Sequence, residues 1–361
     1  MKRIGILGCG DLSPIYLENI TGQFGDKLEV AGVCDLIQER AQQRSSEFSI
    51  RKIYCDMNEM LADPAVDIVL NLSQPYAHYD AVTAALNAGK HVYTEKPLSA
   101  TLEEGIKLRE LVKAKGLLIG GAPDTFLGAG LQTCRKLIDD GSIGDIVGAS
   151  AFMICRGHES WHPNPEFYYK HGGGPMMDMG PYYITALVNL LGAVKSVTGV
   201  AKTSFSTRTI TSSPNHGTII TVDVPTHYTG VMEFENGTAA TIVMSFDIHA
   251  TELPLIEIYG SDGTLSVPDP NTFGGPVRLF KPDDGEFLDV PLKFGYKENS
   301  RGLGLYDMVC HLEDNSPFRA SGKLLFHVLE VMTGFERAYS TGSFEMMTSR
   351  PSRPDVMVLS P

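Results

Sequence analysis

One short stretch of this chain combines residue types and a position that could move a proton. Glu95-Lys96-Pro97 directly follows the apolar run His91-Val92-Tyr93-Thr94. Such a run reads as a buried strand, and open α/β sheets bind ligands in the crevice beyond their strand ends. Pro97 restricts Lys96 to extended backbone geometry, which aims its side chain. Burial and a nearby positive charge both lower a lysine's pKa, and a lysine so placed suits general acid/base work. The competing reading is a solvated lysine at a strand end.

A second stretch could hold a dinucleotide. Gly8-Cys9-Gly10-Asp11-Leu12-Ser13 lies between a strand-like and a helix-like segment. Gly8 and Gly10 permit a tight turn and close approach of backbone to a pyrophosphate, with Asp11 and Leu12 completing the turn. Ser13 stands where the pattern prefers glycine or alanine, and Gly-x-Gly also marks ordinary strand-to-helix turns. Asp35 adds to the case, because a carboxylate ending the second strand can accept bonds from ribose hydroxyls. It would also repel a 2′-phosphate, which favours NAD over NADP. Ser73, Pro75 and His78 follow the next buried strand. With Glu95 and Lys96 they complete the expected cofactor set, a capping or packing role being the alternative for His78.

The third cluster is Gly172-Gly173-Gly174-Pro175-Met176-Met177-Asp178-Met179-Gly180-Pro181-Tyr182-Tyr183. Its glycines let the backbone pass close to a ligand. Asp178 and Tyr182 are four apart and share a face if they lie in the first turn of the following helix. The plainer reading makes Asp178 a helix cap and the tyrosines core. His158-Glu159-Ser160-Trp161-His162 matches the H-E-x-x-H zinc-protease pattern, which works only on a sustained helix. Gly157 precedes it and Pro163 and Pro165 follow, so a pocket loop is expected and no metal site. Trp161 would offer a stacking face and His162 a polar group. Asp124 and Tyr169 are further pocket candidates.

These residues need a scaffold, and the first third of the chain supplies one. Strand-like segments at 2–7, 28–34, 67–71, 91–94 and 117–120 alternate with helix-like segments, and a short strand is expected at 53–55. Asp56 should cap a short helix, and Thr101 with Glu104 forms a capping box. Repeated β-α-β with apolar strands means a parallel, doubly wound sheet. Beyond Gly120-Gly121-Ala122-Pro123 the pattern becomes α+β. A helix is expected at 131–139, a strand at 146–154, a helix from about Tyr182 to Leu191 and then mostly strands. Asn236-Gly237 marks a hairpin between 230–234 and 239–246. A closing helix runs from Gly322 to Tyr339, and the tail after Thr348 should be extended and exposed. Two domains are expected, 1–123 and 124–361.

With 361 residues, 43% of them hydrophobic, the chain can build two cores. A net charge of −13 without a basic cluster argues against nucleic-acid binding. The apolar start is broken by Gly8 and is too short for a secretory signal, and no run approaches the roughly 18 residues of a membrane span. Six scattered cysteines without a C-x-x-C pair favour reduced thiols in a cytoplasmic setting.

The chain resembles the glucose–fructose oxidoreductase / inositol dehydrogenase (Gfo/Idh/MocA) family over nearly its whole length. The resemblance rests on Gly8-x-Gly10, Asp35, Pro75-x-x-His78, Gly89-Lys90-His91-Val92 leading into Glu95-Lys96-Pro97, Gly141-x-x-Gly144, and Asp178-x-Gly180 after the glycines. It implies an N-terminal Rossmann domain followed by an α+β domain whose large, mostly antiparallel open sheet often forms the interface of a homo-oligomer, dimer or tetramer. It implies Lys96 as acid/base and a cis Lys96–Pro97 peptide. Many members carry a histidine four residues after the aspartate. Tyr182 holds that place here, leaving Tyr182 or His162 to supply its role. The expected activity is NAD-dependent hydride transfer at a secondary hydroxyl or ketone of a sugar, sugar derivative or polyol, with Asp178 orienting substrate and pairing with Lys96. Redox-neutral glycoside cleavage with retained NAD and a non-catalytic sugar sensor are the alternatives. Lys96 and Asp178 together count against the sensor.

Overall fold

In the computed structural model, which describes residues 1–358, the chain divides into two compact units. The first comprises Met1–Thr125 and Asn299–Phe326; the second comprises Phe126–Glu298 and the residues from His327 on. The first unit thus takes in a return segment that a single division after residue 123 leaves out.

The first unit runs β1 (Lys2–Leu7), α1 (Ser13–Thr21), β2 (Leu28–Cys34), α2 (Gln38–Glu47), α3 (Met57–Ala62), β3 (Ile68–Asn71), α4 (His78–Asn87), β4 (His91–Thr94), α5 (Leu102–Lys115) and β5 (Ile119–Gly121). Its strands form one parallel sheet in the order β2-β1-β3-β4-β5. Every residue of β3 is buried, as the strands of a parallel sheet covered on both faces must be. The short strand expected at 53–55 shrinks to a parallel bridge between Ile53 and Val33. Counting that bridge, the order is the 3-2-1-4-5-6 of dinucleotide-binding sheets. Its direction reverses between β1 and β3, which opens a crevice there. The local signals hold the helices in place. Asp56 accepts the Glu59 amide at 2.9 Å, and Thr101 and Glu104 exchange both bonds of a capping box.

The second unit begins with α6 (Ala129–Asp139), β6 (Ile146–Ile154), α7 (Gly174–Leu191), β7 (Val194–Lys202), β8 (Thr207–Thr209) and β9 (Ile219–Thr221). It continues with β10 (His227–Phe234), β11 (Ala239–Ser245), β12 (Ile256–Gly260), β13 (Gly263–Val267), β14 (Val277–Phe280) and β15 (Phe287–Val290). The chain then forms α8 (Leu303–Asp314) in the first unit's return segment, α9 (Gly322–Thr341), and β16 (Glu345–Met346). A nine-stranded sheet is ordered β15-β14-β13-β12-β6-β11-β10-β7-β16. Among the described residues its pairings are antiparallel except β6 with β11. Gly237, at φ +85°, closes the β10–β11 hairpin as its Asn-Gly signal requires. Alternation along β10 buries one face under α7 and leaves Thr229 and Val231 exposed on the other.

Two expectations need correction. Helix α7 starts at Gly174, eight residues before the expected Tyr182, with Gly173 as its N-cap and Pro175 in its first turn. Asp178 therefore lies inside the helix and is not its cap. The tail over 349–358 is irregular, but it is anchored instead of lying free; the rest of the expected tail lies outside the described residues. The Arg135 guanidinium donates to the Pro354 carbonyl at 2.9 Å, and the Met357 amide donates to Gln132 Oε1 at 2.8 Å. Pro354 is buried.

Candidate active site

The glycine turn sits at the reversal point of the parallel sheet. The Gly8 amide donates to the Cys34 carbonyl at 2.8 Å, and the Cys9 amide donates to Asp35 Oδ2 at 2.7 Å. Asp35 Oδ1 accepts the Ile37 amide at 2.8 Å, so one carboxylate ties the turn after β1 to the start of α2. Ser13, buried at the start of α1, donates through Oγ to the Gly10 carbonyl at 2.7 Å and accepts from Arg44 Nε at 3.0 Å. The serine that departs from the motif is thus built into the turn.

At Gly8, φ is +100° and a side chain would strike the Leu72 backbone at 2.7 Å. At Gly10 an added Cβ would meet nothing within 4 Å. The turn therefore packs tightly on its β3 side and is open at Gly10, the form a pyrophosphate needs. Asp11 and Leu12 are exposed beside it. Leu36 and Ile37, exposed directly after Asp35, escaped the sequence reading. Their signal was available, since two large apolar residues follow the ribose-type carboxylate where a helix begins.

Beyond β3, Ser73 donates through Oγ to Asn71 Oδ1 at 2.6 Å, and Pro75 opens a short 3-10 turn that ends at Ala77. His78 is fully buried. Its Nδ1 lies 2.6 Å from the Pro97 carbonyl and its Nε2 lies 3.0 Å from the Ser73 carbonyl. Burial holds its pKa below the ordinary histidine value. The ring sits between the end of β3 and the end of β4, where a neutral imidazole's one N–H can serve one of the two carbonyls.

Lys96 follows β4 half-buried, and the Lys96–Pro97 peptide is cis. Its backbone amide donates to Glu95 Oε2 at 3.0 Å, while Tyr16 donates to Glu95 Oε1 at 2.7 Å. Glu95 is buried and braces the strand exit from α1. Asp124, expected in a substrate pocket, is 1% exposed and accepts the amides of Gly302 and Gly304 at 2.9 and 3.0 Å. It anchors the return segment.

In the second unit, His158–His162 is a turn, closed by the His162 amide on the His158 carbonyl at 2.9 Å, and not a helix. Its Glu159 is buried in an ion pair with Arg208 Nε at 2.7 Å. Arg208 also reaches Asp247 at 2.9 Å and the Phe246 carbonyl at 2.8 Å. Tyr169, a pocket candidate by sequence, is fully buried and donates to Glu159. Burial and that bond push its pKa up. Trp161 is 61% exposed and lies edge-on to His158 and His162. Asp178 and Tyr182 lie one turn apart on α7. An imidazole that the sequence reading did not single out meets Asp178. It belongs to His158, with Nε2 3.2 Å from Oδ2.

A sheet of this order, with an open glycine turn and a strand-end carboxylate at its reversal point, defines a Rossmann-fold dinucleotide-binding protein. Residues 2–121 match the model of an oxidoreductase family with an NAD-binding Rossmann fold, and residues 131–266 match that family's GFO/IDH/MocA C-terminal domain. The chain belongs to the Gfo/Idh/MocA family.

Against D-xylose dehydrogenase of Paenarthrobacter nicotinovorans it is 30% identical over 47% of its own length and 45% of that protein, so it spans about half the length of this relative. Against D-glucoside 3-dehydrogenase of Escherichia coli it is 26% identical over 94% of this chain and 96% of that one. The solved structure of levoglucosan dehydrogenase in complex with NADH shares the fold. Its TM-score is 0.82 at 18% identity, covering 97% of this chain and 99% of that chain.

Proposed function

We propose that this protein is an NAD-dependent oxidoreductase acting on a secondary hydroxyl of a sugar, sugar derivative or polyol. The observation that carries the reading is the shared location of Lys96, Gly10 and Asp35 at the carboxyl ends of one parallel sheet, where such sheets bind ligands. The dinucleotide would lie along Gly8, Gly10, Asp11 and Leu12, with its ribose hydroxyls on Asp35 and with Ser73 and Pro75 beside it. When bound, the nicotinamide supplies the hydride acceptor.

In the oxidative direction Lys96 Nζ takes the hydroxyl proton, alone or with Tyr182. Asp178 orients the sugar, Trp161 stacks on its face and His162 adds a polar contact. The near full-length relative named a glucoside dehydrogenase supports a glycoside-type substrate. The free thiols of all six cysteines fit a reducing, cytoplasmic setting. No described helix is long and apolar enough to cross a membrane. The exposed face of the nine-stranded sheet, with Val200 and Val231, would join copies into a homo-oligomer.

The test is a panel of sugars, inositols and glucosides with NAD, followed by NADH absorbance and by product analysis. NADH formation with one class is expected. Cleaved glycoside without NADH would establish the redox-neutral alternative, and silence throughout would favour a sensor. Lys96→Ala should abolish turnover, by about 10²-fold or more, while NAD still binds. Near-normal turnover in that variant would remove Lys96 from its role.

A further inference from the structure

We infer that His158 is a positioning residue for Asp178: an imidazole whose Nε2–H donates to the Asp178 carboxylate and fixes it. The inference rests on the reading above, in which Asp178 orients the substrate, and it assigns that carboxylate a partner.

The contact is Nε2 to Asp178 Oδ2 at 3.2 Å, between a turn residue and a helix residue twenty positions apart in sequence. Both side chains are nearly enclosed, with 13% and 14% of their surface exposed. The other ring nitrogen of His158, Nδ1, is buried without a hydrogen-bond partner. That asymmetry selects the tautomer. An ionised carboxylate only accepts, so the shared proton belongs to Nε2. A second proton, on Nδ1, would leave a charged donor buried without an acceptor, which is costly.

The surroundings reinforce this. The ring is boxed by Trp161, Tyr168 and Phe246, at centroid distances of 5.2, 4.1 and 4.7 Å. Aromatic walls fix its plane. Neighbouring acidic groups are committed elsewhere: Glu159 and Asp247 pair with Arg208, and Tyr169 donates to Glu159. His158 therefore acts on Asp178, and the aromatic box sets the direction of its bond.

Two substitutions separate this role from simple packing. His158→Phe keeps an aromatic ring in the box and removes the donor. His158→Gln replaces the ring but can place an amide N–H near the position of Nε2. The inference expects His158→Phe to lose kcat by about 10²-fold while KM for NAD stays within about twofold, and His158→Gln to recover about tenfold of that loss. Circular dichroism and thermal unfolding would verify that both variants fold. Equal kcat in His158→Phe and the parent would overturn the inference, as would equal losses in the two variants.

A second arm needs no substrate. In ¹⁵N-histidine NMR the resonance pair missing from His158→Gln should show a protonated Nε2 and an unprotonated Nδ1, and Asp178→Ala should disturb that pair. A proton on Nδ1, or indifference to Asp178→Ala, would also overturn it. Should the wild-type protein fail to reduce NAD with every sugar of the panel, the functional reading fails and the NMR arm alone decides whether His158 holds Asp178.

Discussion

Gly8 and Gly10 stand two residues apart and answer to different constraints. A methyl group on Gly8 would press on the Leu72 backbone from a left-handed conformation, at φ +100°. Gly8→Ala should therefore destabilise the fold itself, by about 1–3 kcal/mol from strain alone, readable in urea unfolding. Gly10 has clear space around its Cβ position. Gly10→Val should leave the unfolding midpoint nearly unchanged and weaken NAD binding by about tenfold or more, because on the proposed reading its side chain would fill the room the pyrophosphate takes. Calorimetric titration with NAD measures this directly. A Gly10→Val protein that binds NAD normally would mean that the cofactor lies elsewhere. Asp35 is a mixed case, since its oxygens already hold the Cys9 and Ile37 amides. Asp35→Ala should thus cost both local order and NAD affinity, and the loss should be smaller for NADP.

The elements that carry the second unit's candidate residues depend on one buried arginine. Arg208, 2% exposed in β8, pairs with Glu159 in the turn and with Asp247 just past β11. The turn is also laced to the β8–β9 segment by the Thr211 and Ser212 amides on the Glu159 carbonyl, at 2.8 and 3.1 Å. Arg208→Leu leaves two buried carboxylates without their counter-charge, and should cost about 3–5 kcal/mol in chemical unfolding. It should also free Trp161, the chain's single tryptophan, so that its fluorescence anisotropy falls. Unchanged anisotropy would show that the turn holds its shape without this pair.

These elements also mark where sequence reading reached its limit. The parallel strands and the Thr101–Glu104 and Asp56 caps were legible, because periodicity and capping are local. Helix α7 was read eight residues short, because three glycines and Pro181 look like a break. In fact Pro175 suits a first turn, and Pro181 forfeits only its own amide bond inside a helix held by burial. Helix α8 passed unseen, its apolar residues carrying no clear start signal. His158 was set aside with the zinc pattern, since only the fold brings residue 158 to residue 178.

At the scale of the whole molecule, the return of residues 299–326 to the first unit is fixed in part by Asp124, across 178 positions of sequence. Burial, partly offset by the Gly304 amide, the Arg301 charge and the Gly302 amide, pushes its pKa up to about 6. An acid whose folded pKa exceeds its unfolded value binds its proton more tightly when folded. Its contribution is therefore full below the unfolded value, near 3.8, and is lost as pH rises to about 6, a change of about 3 kcal/mol. Other carboxylates titrate in the same window with the opposite sign, so the informative quantity is the difference from Asp124→Asn. The asparagine oxygen can still accept both glycine amides but does not ionise. The parent should match or exceed Asp124→Asn in stability near pH 4 and fall behind it progressively up to about pH 6, with a constant gap above. Denaturation of both proteins across that range measures the gap. Parallel curves would mean that the Gly302 and Gly304 amides hold the carboxylate ionised throughout, and that the return segment is pinned by a charge-assisted bond at every pH.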